Sequence, residues 1–164
     1  LITEARSDGK TSLAVFKPTE VKDFVWKEEE EREWDKTKLA EIQHLRETDI
    51  FRQLEKEDKI FEVVKKLPYK FYYKFTDCTG KESKLMIEDW EIGTLFWKCL
   101  KKHEGNEAKA LADVKRKYFD DFAKTKDLYL FLGTTKKFHK RSKNPFIIIG
   151  TFTPKIETQL SFDF

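Results

Sequence analysis

The alternation of aromatic rings from Tyr69 to Phe75 is the feature that most restricts the fold of this chain. Successive side chains of a β-strand point to opposite faces, so the rings at 69, 71, 73 and 75 share one face. The residues Asp77-Cys78-Thr79-Gly80 then predict a tight turn, because glycine adopts positive φ at no steric cost. The sequence therefore predicts a β-hairpin over 69–76 and 84–88, with one aromatic face that needs a core.

Two later apolar runs predict a second hairpin, over 128–132 and 146–152. Because both runs are continuous, we expect these strands to be buried on both faces. Between the hairpins, apolar spacing predicts two helices, one ended by Gly105 and the next capped by Asn106 and running to about Lys124. The element order predicts an α+β fold in which helices pack on a largely antiparallel sheet of about five to six strands.

The composition suits one intracellular domain. A chain of 164 residues is long enough for a single core, and its two cysteines exclude a disulfide scaffold and a four-cysteine zinc site. We expect residues 1–152 to form a single α+β domain and residues 153–164 to form a C-terminal tail. The sequence shows no leader pattern and no apolar run of about 18 residues, so we expect a cytoplasmic protein with no membrane partner.

Charge is distributed unevenly along the chain. Residues 1–60 hold 12 Lys/Arg and 16 Asp/Glu, a net charge of −4, whereas residues 61–164 hold 21 Lys/Arg and 14 Asp/Glu, a net charge of +7. A basic second half favours a surface that faces a polyanion, although ordinary solvated surface would also explain it.

The outer face of the first hairpin is the first candidate contact for nucleic acid. If the aromatic face is core, Lys70, Tyr72 and Lys74 lie together on the other face. An aromatic ring between two ammonium groups is typical of single-strand binding, where the ring stacks on a base and the lysines contact phosphates. An ordinary amphipathic strand with a solvated Lys/Tyr face is the alternative.

The segment 136–143 is the second candidate contact. It carries five basic residues and no acid, and it connects the two apolar strands. Loops on a rigid sheet often carry binding residues, so phosphate contact is expected here. The basic residues are Lys136, Lys137, Lys140, Arg141 and Lys143.

The last six residues, Gln-Leu-Ser-Phe-Asp-Phe, combine one glutamine with three apolar anchors. This arrangement resembles the short clamp-binding peptides with which replication and repair proteins attach to sliding clamps. The resemblance implies that Gln159 enters a polar pocket and that Leu160, Phe162 and Phe164 fill an apolar groove of the clamp. Clamp peptides usually carry Leu or Met where Phe162 stands. A terminal edge strand over 156–164 is the alternative.

Enzyme motifs are scarce in this sequence. It contains no Gly-rich phosphate loop, zinc-protease helix, nucleophile elbow or dinucleotide fingerprint. Asp77, Glu82 and Lys84, with Glu88, offer the carboxylates and the Glu-x-Lys pair of a metal-dependent nuclease, which would use Mg²⁺ or Mn²⁺. Turn acids explain the same residues more simply, so the sequence leaves catalysis open and favours a non-enzymatic protein.

These observations predict a non-enzymatic accessory protein of DNA replication or repair, with no cofactor. It would bind nucleic acid, single-stranded DNA or RNA, and dock to a sliding clamp through its C-terminal peptide. A metal-dependent nuclease and a protein-interaction or oligomerisation domain without nucleic acid are the alternatives.

Overall fold

The computed structural model describes residues 12–47, 65–135, 139 and 141–156, and six strands and three α-helices lie in those ranges. The strands are β1 (Leu13–Phe16), β2 (Glu20–Glu28), β3 (Tyr69–Thr76), β4 (Glu82–Ile87), β5 (Tyr129–Thr134) and β6 (Phe146–Phe152). The helices are α1 (Lys36–Arg46), α2 (Trp90–Lys102) and α3 (Glu107–Lys115). Helix α3 continues directly into a π-helical stretch, Arg116–Ala123, here called the π segment.

The strands form one mixed sheet in the order β1-β5-β6-β4-β3-β2. The pairs β1/β5 and β5/β6 are antiparallel, whereas β4 and β6 run parallel with Ile87 opposite Ile148. A parallel neighbour requires a long crossover connection, which the chain makes between the two hairpins. The prediction of an α+β fold with a largely antiparallel sheet is confirmed.

The chain forms two compact units, each with its own aromatic core. The first contains the described residues within 1–25, 72–89 and 115–164. In its core, the Phe24 ring lies 5.6 Å from that of Tyr73 and 5.8 Å from that of Tyr118, between ring centroids. The buried Tyr73 hydroxyl donates a hydrogen bond of 2.6 Å to the Tyr118 carbonyl, so strand β3 is joined to the π segment by packing and by a hydrogen bond.

The second unit contains the described residues within 26–71 and 90–114. Phe96 of α2 is fully buried, and its ring centroid lies 5.6 Å from that of Tyr69 and 6.4 Å from that of Phe71. The rings at 69, 71, 73 and 75 are all buried, while Lys70 and Lys74 are exposed. The predicted alternation of β3 is therefore confirmed.

Turns and caps begin and end these elements where the sequence indicates. Gly80 has φ +79° in the turn between β3 and β4, and Gly105 has φ +87° just after α2. Both glycines adopt the left-handed conformation that side chains disfavour. The Asn106 side chain accepts a hydrogen bond from the Lys109 backbone N–H, so it caps α3 as predicted.

The second hairpin is present, but the prediction that both of its faces are buried is wrong. Leu130 and Ile148 are fully buried on one face, whereas Phe131 and Ile149 are 38% and 41% exposed on the other. Antiparallel strands often have only one covered face. The pairing of β5 with β6 also shifts register between Phe131 and Leu132, as at a β-bulge. The continuous apolar run therefore reflects one buried face and one exposed apolar face.

Candidate nucleic-acid interface

The outer face of β3 and β4 in the first unit carries a ring flanked by lysines. Tyr72 is half-buried on the face opposite Tyr73, and the Lys84 ammonium lies 4.5 Å from the centre of the Tyr72 ring. The exposed Lys74 lies two residues further along the same face of β3. We call Tyr72, Lys74 and Lys84 the stacking platform: the Lys84 ammonium lies over one face of the half-buried ring, and Lys74 lies on the same face of the strand.

The electrostatics around the platform are shaped by the carboxylate of Asp23. A 3.0 Å ion pair with Lys115 lowers the pKa of Asp23, and the backbone N–H of Phe24 and the charge of Lys74 lower it further. An ionised carboxylate beside Lys74 partly offsets the positive charge of the platform. Interactions between exposed charges contribute only about 0–1 kcal/mol. A phosphate group can therefore compete with Asp23 for Lys74.

Lys70, the third predicted residue of this strand, belongs to the second unit. Its ammonium lies 2.8 Å from a carboxylate oxygen of Glu29. The structure thus brings Lys84 to Tyr72, which the sequence did not predict, and engages Lys70 with an acid. The sequence feature that could have placed Lys84 beside Tyr72 is its position on the second strand of the hairpin, where it lies on the same face of the sheet.

The predicted basic loop is only partly described. Lys136, Lys137 and Lys140 lie outside the described residues, whereas Arg141 and Lys143 are exposed. His139 Nδ1 lies 3.0 Å from the hydroxyl of Thr134, and Ser142 donates a 2.7 Å hydrogen bond to the Asn144 carbonyl. The first contact joins His139 to the last residue of β5, and the second lies within a local turn just before β6.

The four residues of the nuclease alternative have other partners or are exposed. One carboxylate oxygen of Asp77 accepts hydrogen bonds from the Thr79 hydroxyl and from the backbone N–H groups of Thr79 and Lys81. The Thr79 hydroxyl is the main cause that lowers the pKa of Asp77. Glu82 and Glu88 are exposed. Among the described residues, no three His, Cys, Asp or Glu side chains are grouped to hold a metal ion.

A second basic surface of the first unit is a cleft of about 430 Å³ beside the π segment. We call it the lysine cleft, and it includes Lys17, Lys22, Phe119, Lys124, Lys126 and Asp127. The Lys124 ammonium lies 4.4 Å from the centre of the Phe119 ring. The sequence did not predict this site, because its lysines come from segments about a hundred positions apart.

Each lysine of the lysine cleft has an acidic partner at its exposed rim. Lys17 lies 2.6 Å from Asp127, and Lys126 lies 3.4 Å from Asp121. The pKa of Asp121 falls to about 2, mainly because Lys117 donates a hydrogen bond to its carboxylate. A phosphate group can therefore replace one of these carboxylates as the partner of a lysine, and no further charge is buried.

The predicted clamp-binding residues, Gln159, Leu160, Phe162 and Phe164, lie outside the described residues, as the whole segment 157–164 does. The geometry of the described part defines an α+β protein with a mixed six-stranded sheet and two basic, aromatic surfaces in its first unit. The described helices are all too short or too polar to span a membrane.

Comparison by sequence places the chain in one family. The chain belongs to the family described as Domain of unknown function (DUF8757), whose profile matches residues 1–163. No curated protein and no solved structure matches the chain significantly.

Proposed function

We propose that the protein binds single-stranded nucleic acid and acts as a non-enzymatic accessory protein of DNA replication or repair, attached to a sliding clamp by residues 159–164. The observation that carries the proposal is the stacking platform, where the Lys84 ammonium lies 4.5 Å from the centre of the half-buried Tyr72 ring. A base that displaces the Lys84 ammonium can stack on this ring, while Lys74 and the displaced Lys84 contact the adjoining phosphates.

The energetics of one ring explain why such a protein would need a tether. Stacking contributes about 1–3 kcal/mol per base, so a single platform binds a strand weakly. A peptide bound to a clamp on the same DNA raises the effective concentration of the strand to the order of millimolar. The lysine cleft adds a sequence-independent contact for the backbone. Weak strand binding and clamp docking therefore support each other.

The two cysteines fit the cytoplasmic location included in this proposal. Cys78 is exposed and Cys99 is buried, and neither forms a disulfide bond. Thiols outside disulfide bonds persist in a reducing compartment such as the cytoplasm.

The strand-binding part is tested by fluorescence anisotropy of a labelled oligothymidylate across a range of salt concentrations. Tyr72→Leu keeps an apolar side chain on the strand and should weaken binding about fivefold to a hundredfold. Lys84→Gln should weaken binding and reduce the salt slope by about one unit. Lys81→Gln, in the turn of the same hairpin, is the matched control and should bind within about twofold of the wild type.

Two results would contradict this part of the proposal. One is a wild-type protein that fails to bind the strand at low salt, where phosphate contacts are strongest. The other is a Tyr72→Leu variant that binds as tightly as Lys81→Gln does. Circular dichroism spectra and melting temperatures that match the wild type would show that the variants are folded.

Clamp docking is tested by calorimetric titration of the full chain and of residues 1–158 against the sliding clamp of the same organism. Truncation should abolish binding, and Phe162→Ala should weaken it at least about tenfold, because a few anchors carry the energy of such peptides. Ser161→Ala is the control inside the same peptide. Equal titrations for the full and truncated chains would remove the clamp from the proposal.

Protein association is the second candidate function, and the exposed apolar face of β1, β5 and β6 favours it. Leu13 and Val15 on β1 are 70% and 63% exposed, and Val15 lies opposite Phe131 of β5. Contiguous exposed apolar surface often marks an interaction site. If two copies associate through this face, sedimentation equilibrium will give a dimer mass that Val15→Lys reduces to the monomer mass. A monomer at all concentrations would leave nucleic-acid binding as the sole proposal.

A further inference from the structure

The second unit contains an aromatic cleft of about 550 Å³ that no motif in the sequence indicates. Trp34 and Trp97 line it, together with Leu39 of α1 and Leu100 of α2. Both indole side chains are half-buried, and Leu39 is 49% exposed. We call this site the tryptophan cleft. Its volume lies in the range of small-molecule sites, and its two indole rings offer flat apolar surface to a planar ring system.

Two lysines bring positive charge to this apolar cleft. The Lys65 ammonium lies 4.3 Å from the centre of the Trp97 ring, and the Lys66 ammonium lies 5.9 Å from the centre of the Trp34 ring. Lys66 also donates hydrogen bonds to two backbone carbonyls, one of them that of Glu31 at 2.5 Å. Within the described part of the chain, neither lysine pairs with a carboxylate. The cleft therefore holds two ammonium groups that can neutralise an anion.

Four other charged residues line the cleft, namely Arg32, Glu33, Arg46 and Glu107. Arg32 donates two hydrogen bonds to the Glu107 carboxylate, at 2.5 and 3.0 Å, and the Tyr69 hydroxyl donates a third. This bidentate geometry is the strong form of an ion pair, so it fixes one wall and leaves little net charge there. Glu33 and Arg46 add one charge of each sign, so Lys65 and Lys66 leave the lining with a net positive charge.

We propose that the tryptophan cleft binds a nucleoside 5′-monophosphate group, with the base against an indole ring and the phosphate between Lys65 and Lys66. A phosphate monoester carries a charge of about −1.5 to −2 near neutral pH, which matches two ammonium groups. Stacking on an indole and charge-assisted hydrogen bonds act together in this arrangement. A ligand with a single ring system and one phosphate matches both the indole rings and the two ammonium groups.

The same chemical group has two sources, namely a free nucleotide and the 5′-phosphorylated end of a strand. The strand end would deepen the proposed function, because the platform of the first unit binds a strand. The free nucleotide does not rest on that function. Experiments with the two ligands therefore separate the sources.

The test uses the full chain labelled with ¹⁵N and follows the indole N–H signals of its four tryptophans during titration with AMP. The Trp34 and Trp97 signals should shift, and those of Trp26 and Trp90, which do not line the cleft, should stay unchanged. Adenosine, which lacks the phosphate, should bind at least about tenfold more weakly, because hydrogen bonds to charged groups are lost.

Lys65→Gln is the decisive variant, because Lys65 is exposed and its replacement should leave the fold intact. It should weaken AMP binding at least about tenfold. Lys101→Gln, an exposed lysine of α2 outside the cleft lining, is the control and should bind within about twofold of the wild type. Equal affinity of both variants would overturn the proposal, as would unmoved Trp34 and Trp97 signals at millimolar AMP.

Oligoadenylate with and without a 5′-phosphate identifies the source. Shifts of Trp34 and Trp97 that require the 5′-phosphate would support the cleft as a site for strand ends, and shifts with AMP alone would support a free nucleotide. A third outcome would overturn the cleft proposal: Tyr72→Leu abolishes strand binding, and no ligand shifts either indole signal. That last outcome would leave the proposed function intact, so the two failures can be told apart.

Discussion

The hydroxyl of Tyr73 offers a direct test of how β3 is joined to the π segment. Tyr73 is fully buried, and its hydroxyl donates a 2.6 Å hydrogen bond to the Tyr118 carbonyl. Tyr73→Phe removes this one donor and keeps the ring that packs against Phe24. The perturbation is therefore confined to a single buried hydrogen bond.

The expected loss follows from the partners that remain. A buried hydrogen bond has a net value of about 0.5–1.5 kcal/mol, and an acceptor left without a partner costs about 1–3 kcal/mol. A carbonyl inside a π-helix also accepts from the N–H five residues later, so the Tyr118 carbonyl keeps one partner. We expect Tyr73→Phe to lower the free energy of unfolding by about 1 kcal/mol and the melting temperature by about 2–4 °C.

Urea unfolding followed by circular dichroism measures this change, and Tyr129→Phe is the matched control. The Tyr129 ring is half-buried, and its hydroxyl lies 3.5 Å from an Asp127 carboxylate oxygen, so this variant should change the free energy of unfolding by less than about 0.5 kcal/mol. Equal effects of the two replacements would refute the reasoning, because the buried bond would then contribute no more than an exposed one. A gain in stability for Tyr73→Phe would refute it as well.

Three further measurements test the electrostatics and the backbone. The pKa of Asp121, lowered from its ordinary 3.8 to about 2, should appear in a carboxyl NMR titration, and its stabilising effect should be complete above pH 4 and lost as the pH falls towards 2. A value near 4 would contradict the ion pair with Lys117. Glu107→Gln should destabilise the protein by up to about 1 kcal/mol in urea unfolding, because it breaks a bidentate pair that solvent screens, and an unchanged midpoint would contradict that role. Gly93→Ala should raise the melting temperature and Gly105→Ala should lower it, because open space surrounds Gly93 while Gly105 has φ +87°. Each replacement should change the free energy of unfolding by about 1 kcal/mol. The same sign for both glycines would contradict this explanation.

Local patterns in the sequence were sufficient to predict the hairpins and helices. The period-two rings of β3, the turn glycine and the cap residues each act over a few neighbouring positions, and so their meaning does not depend on the rest of the chain. Gly105 and Asn106 end one helix and begin the next as predicted. The α+β class follows from the order of these elements.

The parallel pair β4/β6 and the exposed second face of β5 and β6 could not be predicted in the same way. A continuous apolar run gives the same sequence pattern whether a helix covers its outer face or that face is exposed. Only the tertiary arrangement distinguishes the two cases. Phe131 and Ile149 are examples, because both look like core residues in the sequence and are exposed in the structure.

Candidate sites were predicted only where their residues are close in sequence. Tyr72 and Lys74 lie on one strand, and the structure adds Lys84 from the next strand. The lysine cleft and the tryptophan cleft combine segments that are tens of positions apart, as Trp34 and Trp97 are. A single sequence carries no signal that joins such residues, because the chain itself must fold before they meet.

The pairing of β1 with β5 sets an order of events during synthesis and folding. Leu13 pairs with Gly133, so β1 has no sheet partner until about 120 further residues have left the ribosome. Closing so long a loop is costly and slow, whereas β5 and β6 are separated by a short connection and can pair early. We therefore expect the edge strand to join last, and during that interval Leu13 and Val15 form a site that chaperones can recognise on the nascent chain.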